Sequence, residues 1–425
     1  MPEKQLSIRA NMIWNSVGSM TYLGCQWLVT IFVVRLSSGY DAAGLLSLAM
    51  AVTGIFGTFA NYKMGTYQIS DINRENTLAE YLGFRCFMLA VAAVACAVYA
   101  LFTCPAYALA TVILYYLFKA VGLVIDVLHG TDQQHRRMDY IGKSFILQGV
   151  STLVAFVVVF WVAQDLNLAI VAMMAAALLV LILFDIPRTK QFEKPALNLT
   201  WRKAAFFLRT SLPAVIASIA ASAIFTIPKQ YLSMTMGAAA LGIYSSVAAP
   251  ALVIQMGAMY LYGPLLDIFP RLFFDGDMKG FGKLLIRTTL AIIGVAAVCA
   301  VVLEFIGAWA LVLLFGESIA PYVYLLQPVL LSTALTAFLW FFGDLLITVR
   351  DFRANFVGNI AAFAAVLPLS VVCVDVWGMN GVSFAGAIAC AVGVVVLMVF
   401  LSVDVKKQKL KMVQGELTSA EAERG

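Results

Sequence analysis

The sequence predicts an all-α integral membrane protein of about twelve transmembrane helices, set in two six-helix lobes related by a parallel repeat. Three observations predict it. Hydrophobic residues make up 62% of the chain and charged residues only 12%, with a mean hydropathy of +0.93, whereas a soluble domain carries roughly 25% charged residues. Apolar runs long enough to cross a bilayer recur from end to end, each needing about 20 residues for a hydrocarbon core roughly 30 Å thick. A pattern near the N-terminus returns about two hundred residues later.

That pattern is a helix-length run closed by a basic residue, then a loop, then a run opened by Gly-apolar-x-Ser. The first copy ends at Arg35 and reopens at Gly44 to Ser47; the second ends at Lys229 and reopens at Gly242 to Ser245. The loops differ in length, nine steps in the first and thirteen in the second. Internal repeats of this kind relate the halves of many transporters.

The spans in the first half fall at about 11–35, 42–62, 81–103, 105–128, 142–163 and 167–186. Those in the second fall at about 207–229, 240–264, 285–304, 321–348, 354–374 and 380–403. The apolar stretch Glu304 to Phe315 is too short for a further span and reads as an extension of the ninth helix or an interfacial piece. The polar connection between the sixth and seventh spans divides the chain. The expected domains are an N-terminal lobe over 1–190, a cytoplasmic linker over 191–206, a C-terminal lobe over 207–404 and a charged cytoplasmic tail over 405–425, expected to lack structure. Residues 1–10 are polar with no cleavage site after them, so the first span is expected to be the insertion signal.

Orientation follows from lysine and arginine. Of 28 such residues, 25 fall on one side of the spans, which places both termini in the cytoplasm. Arg74 and Arg85 count among them. The three exceptions are Arg35, Lys119 and Lys229. The net charge of +5 is therefore a topology signal, and no nucleic-acid partner is expected. The outer connections are too short for an extracellular domain. Pro213, Pro250, Pro328 and Pro368 fall in or near spans, where breaks are tolerated when neighbours satisfy the freed carbonyls.

A charge inside the bilayer costs roughly 2.5–3.5 kcal/mol, so such residues face a bundle interior or a wet cavity. Lys119 has apolar sequence on both sides. On a helix, Tyr115, Lys119, Gly122 and Asp126 share one face, and Lys119 and Asp126 stand about 10.5 Å apart along the axis, too far to pair within the helix. That stripe reads either as an anion-attracting cavity lining or as one side of an ion pair with another helix. Arg35 and Lys229 close the first helix of each half; they either snorkel to the interface or face a central cavity between the lobes. Asn11, Asn15 and Gln26 lie near one face of the first helix. Their amides suit sugar hydroxyls and suit interhelical hydrogen bonds equally. Asp344 and Glu304 sit near span ends, and no residue is assigned to a coupling ion.

Enzyme motifs are missing. No Walker loop, GxSxG or HExxH occurs, the seven cysteines lack any CxxC, and His129 and His135 have no metal-ligand spacing. No cofactor and no metal are expected.

One stretch goes beyond class. DVLHGTDQQHRRMDYIGKSFILQGVSTLVAF, residues 126–156, and within it the run from Gly130 to Ser144, resembles the lipid-linked oligosaccharide flippases of bacterial polysaccharide export. These belong to the multidrug/oligosaccharidyl-lipid/polysaccharide exporter superfamily. NMIWNSVGS, AAGLLSLAMAV, LYGPLLDIFPRLFFDGDMKGF and FFGDLLITVRDF are similar to the same family in the same order. The resemblance implies a flippase for polyprenyl-diphosphate-linked oligosaccharide repeat units of an O-antigen, capsule or exopolysaccharide. It implies lobes around a cavity that opens alternately to each side, and a polymerase and glycosyltransferases of the same pathway as partners. The anionic diphosphate would then meet Lys119, Arg35 and Lys229, with Arg136 and Arg137 touching it at the cytoplasmic surface. Two other readings remain open: a multidrug or small-molecule antiporter, which would use Asp126 or Asp344, and a membrane-embedded polymerase or acyltransferase.

Overall fold

The computed structural model describes residues 6–71, 75–251, 258, 262, 265–266 and 268–422, leaving aside the side chains of 8, 66, 70, 213, 214 and 411–422. Every regular element among them is helical. The first is α1 (Ile8–Leu36), started by the Ser7 hydroxyl, which accepts the Ala10 N–H at 3.2 Å and so satisfies one of the helix's orphan donors. Next come α2 (Asp41–Asn61) and the short α3 (Met64–Ser70). A capping box of Thr77 and Glu80 opens α4 (Leu78–Thr103). Then follow α5 (Leu109–Gln134), α6 (Met138–Ala163) and α7 (Leu166–Val180). A π-helical turn over Leu181–Asp185 leads from α7 into α8 (Ile186–Thr189).

The helical stretch α9 (Trp201–Ala248) is broken only at Gly237, where φ is +85° and ψ 173°, a conformation that glycine reaches without a Cβ penalty. The loop expected after Lys229 is therefore helix on either side of a one-residue kink. Beyond it lie α10 (Ile268–Phe274), α11 (Met278–Phe315), α12 (Leu326–Thr348), α13 (Phe352–Trp377) and α14 (Met379–Ala422). The stretch Glu304 to Phe315 is the second part of α11, a single helix of 38 residues. The last helix runs on through the charged segment from 405, where no regular structure was expected.

Among the described residues, eleven helices are long and apolar enough to cross a membrane. The difference from twelve has a local cause. The expected spans 207–229 and 240–264 coincide with one candidate, Val215–Ala251, because helix continues across Gly237. Most of the eighth expected span past 251 lies outside the described residues, as do Lys4, Arg74, Arg424 and the side chains of Pro213 and Lys411. Pro250 lies in a short 3₁₀ turn, Pro328 in the first turn of α12 and Pro368 inside α13.

The chain divides into two compact units. The first comprises Met1–Ser222 and Leu232–Ser246, the second Ala223–Tyr231 and Val247–Gly425. In the first, α1 packs along α6 so closely that a Cβ on Gly142 would sit 2.3 Å from the Trp14 carbonyl oxygen. Close approach between small residues is how membrane helices gain van der Waals contact. Tyr62, Tyr81, Phe84 and Phe207 form an aromatic cluster joining α2, α4 and the start of α9. The connection expected as a linker is tied down here. Glu193 accepts the Leu78 N–H at 2.9 Å, Asn198 N–H donates to the Ala79 carbonyl at 3.1 Å, and Phe192 stacks on His135 at 4.3 Å.

The second unit is built around Phe269, Phe281, Phe341, Leu345 and Leu346, all fully buried, with Ile224 of α9 and Leu397 of α14 against them. Large apolar side chains also remain exposed along the spans: Val298, Phe305 and Trp309 of α11 are 63%, 83% and 65% exposed. Such a surface is stable only where acyl chains cover it.

Candidate functional site

The helix α5 carries the predicted stripe, and the structure splits it in two. Lys119 is partly buried midway along the helix. Its ammonium lies 5.8 Å from the Tyr115 ring centroid and 5.9 Å from that of Phe118, within cation–π range. Among the described residues no carboxylate reaches it. Tyr115 is 1% exposed and packs edge-on against Phe118. It forms a buried aromatic wall beside the ammonium.

Asp126, at the start of the helix's last third, is an ion-pair partner. Its carboxylate accepts from the Arg85 guanidinium at 3.2 Å. Arg85, counted from the sequence among the cytoplasmic cations, is fully buried on α4, while the Asp126 side chain is 47% exposed. Arg85 Nε and Nη1 are buried without a hydrogen-bond partner among the described residues. Sequence reasoning missed Arg85 because it stands near the start of its span. The available signal was its setting, LGFRCFML, apolar on both sides.

Around this pair α3 folds against α5. Gln68 donates to the Val127 carbonyl at 3.0 Å and to the Thr131 hydroxyl at 3.1 Å, and Gln134 donates to the Gln68 carbonyl at 2.6 Å. Deeper in the same helix, His129 Nε2 lies 3.4 Å from Asp185, the last residue of the π-helical turn. Asp132 accepts from Thr189 at 3.2 Å. All four of these side chains are buried.

The other candidates separate by use. Asn11 is a fastener: its amide oxygen accepts the Met138 N–H at 2.9 Å and its nitrogen donates to the Leu6 carbonyl at 3.3 Å, joining the starts of α1 and α6. Arg137 forms a two-pronged pair with Asp139 at 2.8 and 3.1 Å and lies 4.0 Å above the Tyr140 ring. That geometry engages its guanidinium at the start of α6. Arg136 is exposed, with a left-handed backbone at φ +58°. Asn15 is partly buried, and the Gln26 amide nitrogen is buried without a described partner. Arg35 is exposed in the last turn of α1.

Lys229 is not at a helix end. It lies inside α9, eight residues before the kink, and belongs to the second unit. It is partly buried, and among the described residues no carboxylate reaches it. Each unit thus holds one lysine inside a span with no acidic neighbour. Three carboxylates in or near spans are engaged elsewhere: Asp126 by Arg85, Asp344 by the Tyr262 hydroxyl at 3.1 Å, and Glu304 by Gln327 at 2.6 Å.

Two helical units built from long apolar spans define a multi-pass membrane protein, and solved flippases and multidrug transporters share its fold. The lipid II flippase MurJ, in an inward closed conformation, matches with a TM-score of 0.72 at 9% identity, over 94% of this chain and 90% of that one. An inward-facing multidrug resistance MATE transporter matches with a TM-score of 0.63 at 12% identity, over 93% and 99%. In sequence, residues 8–273 match the polysaccharide biosynthesis protein family, and the chain belongs to it. The capsular polysaccharide biosynthesis protein CapF of Staphylococcus aureus is 22% identical over 367 residues, 84% of this chain and 90% of that protein.

Proposed function

We propose that this protein is a flippase. It moves polyprenyl-diphosphate-linked oligosaccharide repeat units from the inner to the outer leaflet of the bacterial cytoplasmic membrane by alternating access, with both termini in the cytoplasm. The observation that carries the reading is the pair of unneutralised lysines, Lys119 and Lys229, one inside a span of each unit. Each costs roughly 2.5–3.5 kcal/mol to keep in the bilayer, and among the described residues no carboxylate offsets that cost. A passing anion would. A diphosphate supplies the charge, and the polar amides of Asn15 and Gln26 suit the sugar that follows it. The polyprenyl chain needs no cavity, since acyl chains solvate it.

Membership of the polysaccharide biosynthesis protein family, the likeness to CapF and the MurJ-like fold all support this reading. The expected partners are the glycosyltransferases and polymerase of the same pathway. An antiporter for organic cations is disfavoured by the engagement of Asp126 and Asp344. The test is genetic and chemical. Deleting the gene should abolish surface polysaccharide and leave lipid-linked repeat units on the inner leaflet. Unchanged surface polysaccharide in the deletion strain would sink the proposal.

A further inference from the structure

The second unit holds a cavity of 780 Å³ with no part in the site above. It lies at the end of the unit where α12 turns into α13, against α10 and the last membrane turns of α14. Phe273, Val349, Val399, Phe400 and Val403 make its apolar wall, and Arg350, Arg353 and Lys407 stand among the residues lining it. The volume is in the range of sites for lipid- or drug-sized ligands.

Three features of the cationic rim matter. Arg350 has a left-handed backbone, φ +68°, and its guanidinium lies 5.9 Å from the Phe274 ring centroid. Neither Arg350 nor Arg353 has a carboxylate partner among the described residues. The two acidic groups present are otherwise used. Asp351 caps α13, accepting the Ala354 N–H at 2.9 Å, and Asp404 lies 3.9 Å from Lys407 and faces Asp351. Two guanidiniums thus stand without an ion-pair partner among the described residues, at the edge of an apolar recess that Asp351 and Asp404 also line.

The recess continues into the bilayer-facing surface. Val399 and Val403, one helical turn apart on α14, are 56% and 39% exposed. A ligand with a charged end at the arginines and a long apolar body along these valines fits both halves. Basic pockets between membrane helices on the cation-rich side hold anionic lipid headgroups for this reason.

We propose that this cavity binds a phosphate-bearing lipid, with the phosphate on Arg350 and Arg353 and the chain along Phe400, Val399 and Val403. Two sources share that chemistry: an anionic phospholipid of the surrounding leaflet, or the polyprenyl-linked diphosphate itself. The second source rests on the proposed function; the first does not.

Native mass spectrometry of the full-length protein released from detergent tests it, with phosphatidylglycerol, phosphatidylcholine and a polyprenyl diphosphate offered separately. Phosphatidylglycerol should be retained over phosphatidylcholine, and Arg350→Gln/Arg353→Gln should lose the adduct by roughly tenfold or more, as expected for losing charge-assisted contacts of about 1.5–3 kcal/mol. Val403→Trp, which fills the recess and leaves the charges, should lose it too and guards against a folding defect in the double variant. Lys279→Gln/Lys283→Gln, on cations outside the cavity, should retain it. Retention of polyprenyl diphosphate alone, lost in the same variants, supports the second source. Equal retention of phosphatidylcholine, or adducts unchanged in both the arginine and Val403 variants, overturns the proposal.

Discussion

Ser47 and Ser245, 198 residues apart, share a hydrogen bond of 2.5 Å between their hydroxyls within the first unit. They are the matching serines of the two Gly-apolar-x-Ser patterns. The matching glycines meet as well: a Cβ on Gly242 would sit 2.1 Å from the Tyr40 carbonyl oxygen, and one on Gly44 would overlap the carbonyl of Ala238. The repeat seen in the sequence is thus also a contact. Hydrogen bonds between membrane helices are worth about 0.6 kcal/mol on average and at most about 1.7. Ser47→Ala should therefore lower thermal stability only slightly, while Gly242→Leu, which drives a side chain into backbone, should prevent folding. Melting of the detergent-solubilised protein measures both, and a well-folded Gly242→Leu would contradict the packing.

The proposed role of Lys119 predicts a split between charge and shape. Lys119→Ala should stop polysaccharide export with protein levels unchanged, and Lys119→Arg should partly retain it, because the arginine keeps the charge on a longer, planar head. Lys229→Ala should do likewise through the second unit. Surface polysaccharide, normalised to protein in the membrane, is the readout. Full export by Lys119→Ala would remove that lysine from the site.

Arg85 and Asp126 predict an asymmetry. Removing the acid leaves a fully buried guanidinium uncompensated, so Asp126→Ala should cost about 3 kcal/mol, the low end for a buried pair because half of Asp126 is open. Replacing both partners, as Arg85→Met/Asp126→Ala, should recover most of that loss. Comparing the melting of the two variants decides it; a double variant no more stable than Asp126→Ala would refute the account.

Outside the membrane spans, Asp71 predicts a pH dependence. Burial pushes its carboxyl up, but hydrogen bonds from the Glu75 N–H, the Tyr81 hydroxyl and Asn76 outweigh this and hold it below its ordinary value of 3.8. A carboxyl depressed by folding stabilises the fold above its unfolded pKa and loses that contribution as pH falls through the folded one. Asp71→Asn should thus be less stable than the wild type near neutrality by about 1 kcal/mol, and the gap should close as the pH falls below the ordinary carboxylate range. A gap independent of pH would mean that the charge plays no part.

Composition and apolar run lengths made the membrane class and most spans legible, because lipid leaves a long hydrophobic helix little alternative. The helix across 230–236 was not legible, since SMTMGAAA looks like a loop by composition and only the backbone of Gly237 marks the break. At the site, Lys119 stood out as a lone charge among apolar neighbours. Asp126 and Arg137 did not reveal themselves as paired, because their partners' proximity is a property of packing: Arg85 lies on another helix, and Asp139 adopts its geometry only at the start of α6. Asn11 could not be told from a sugar-binding amide, since an amide serves a backbone N–H and a hydroxyl by the same atoms.

The single rod of 38 residues from Met278 to Phe315 measures about 57 Å, nearly twice the oily slab it must cross. It either leans steeply or projects beyond the headgroups. Thinner or thicker host bilayers will therefore press on this helix first, and vesicles of graded acyl length offer a handle on how the protein rests in its surroundings.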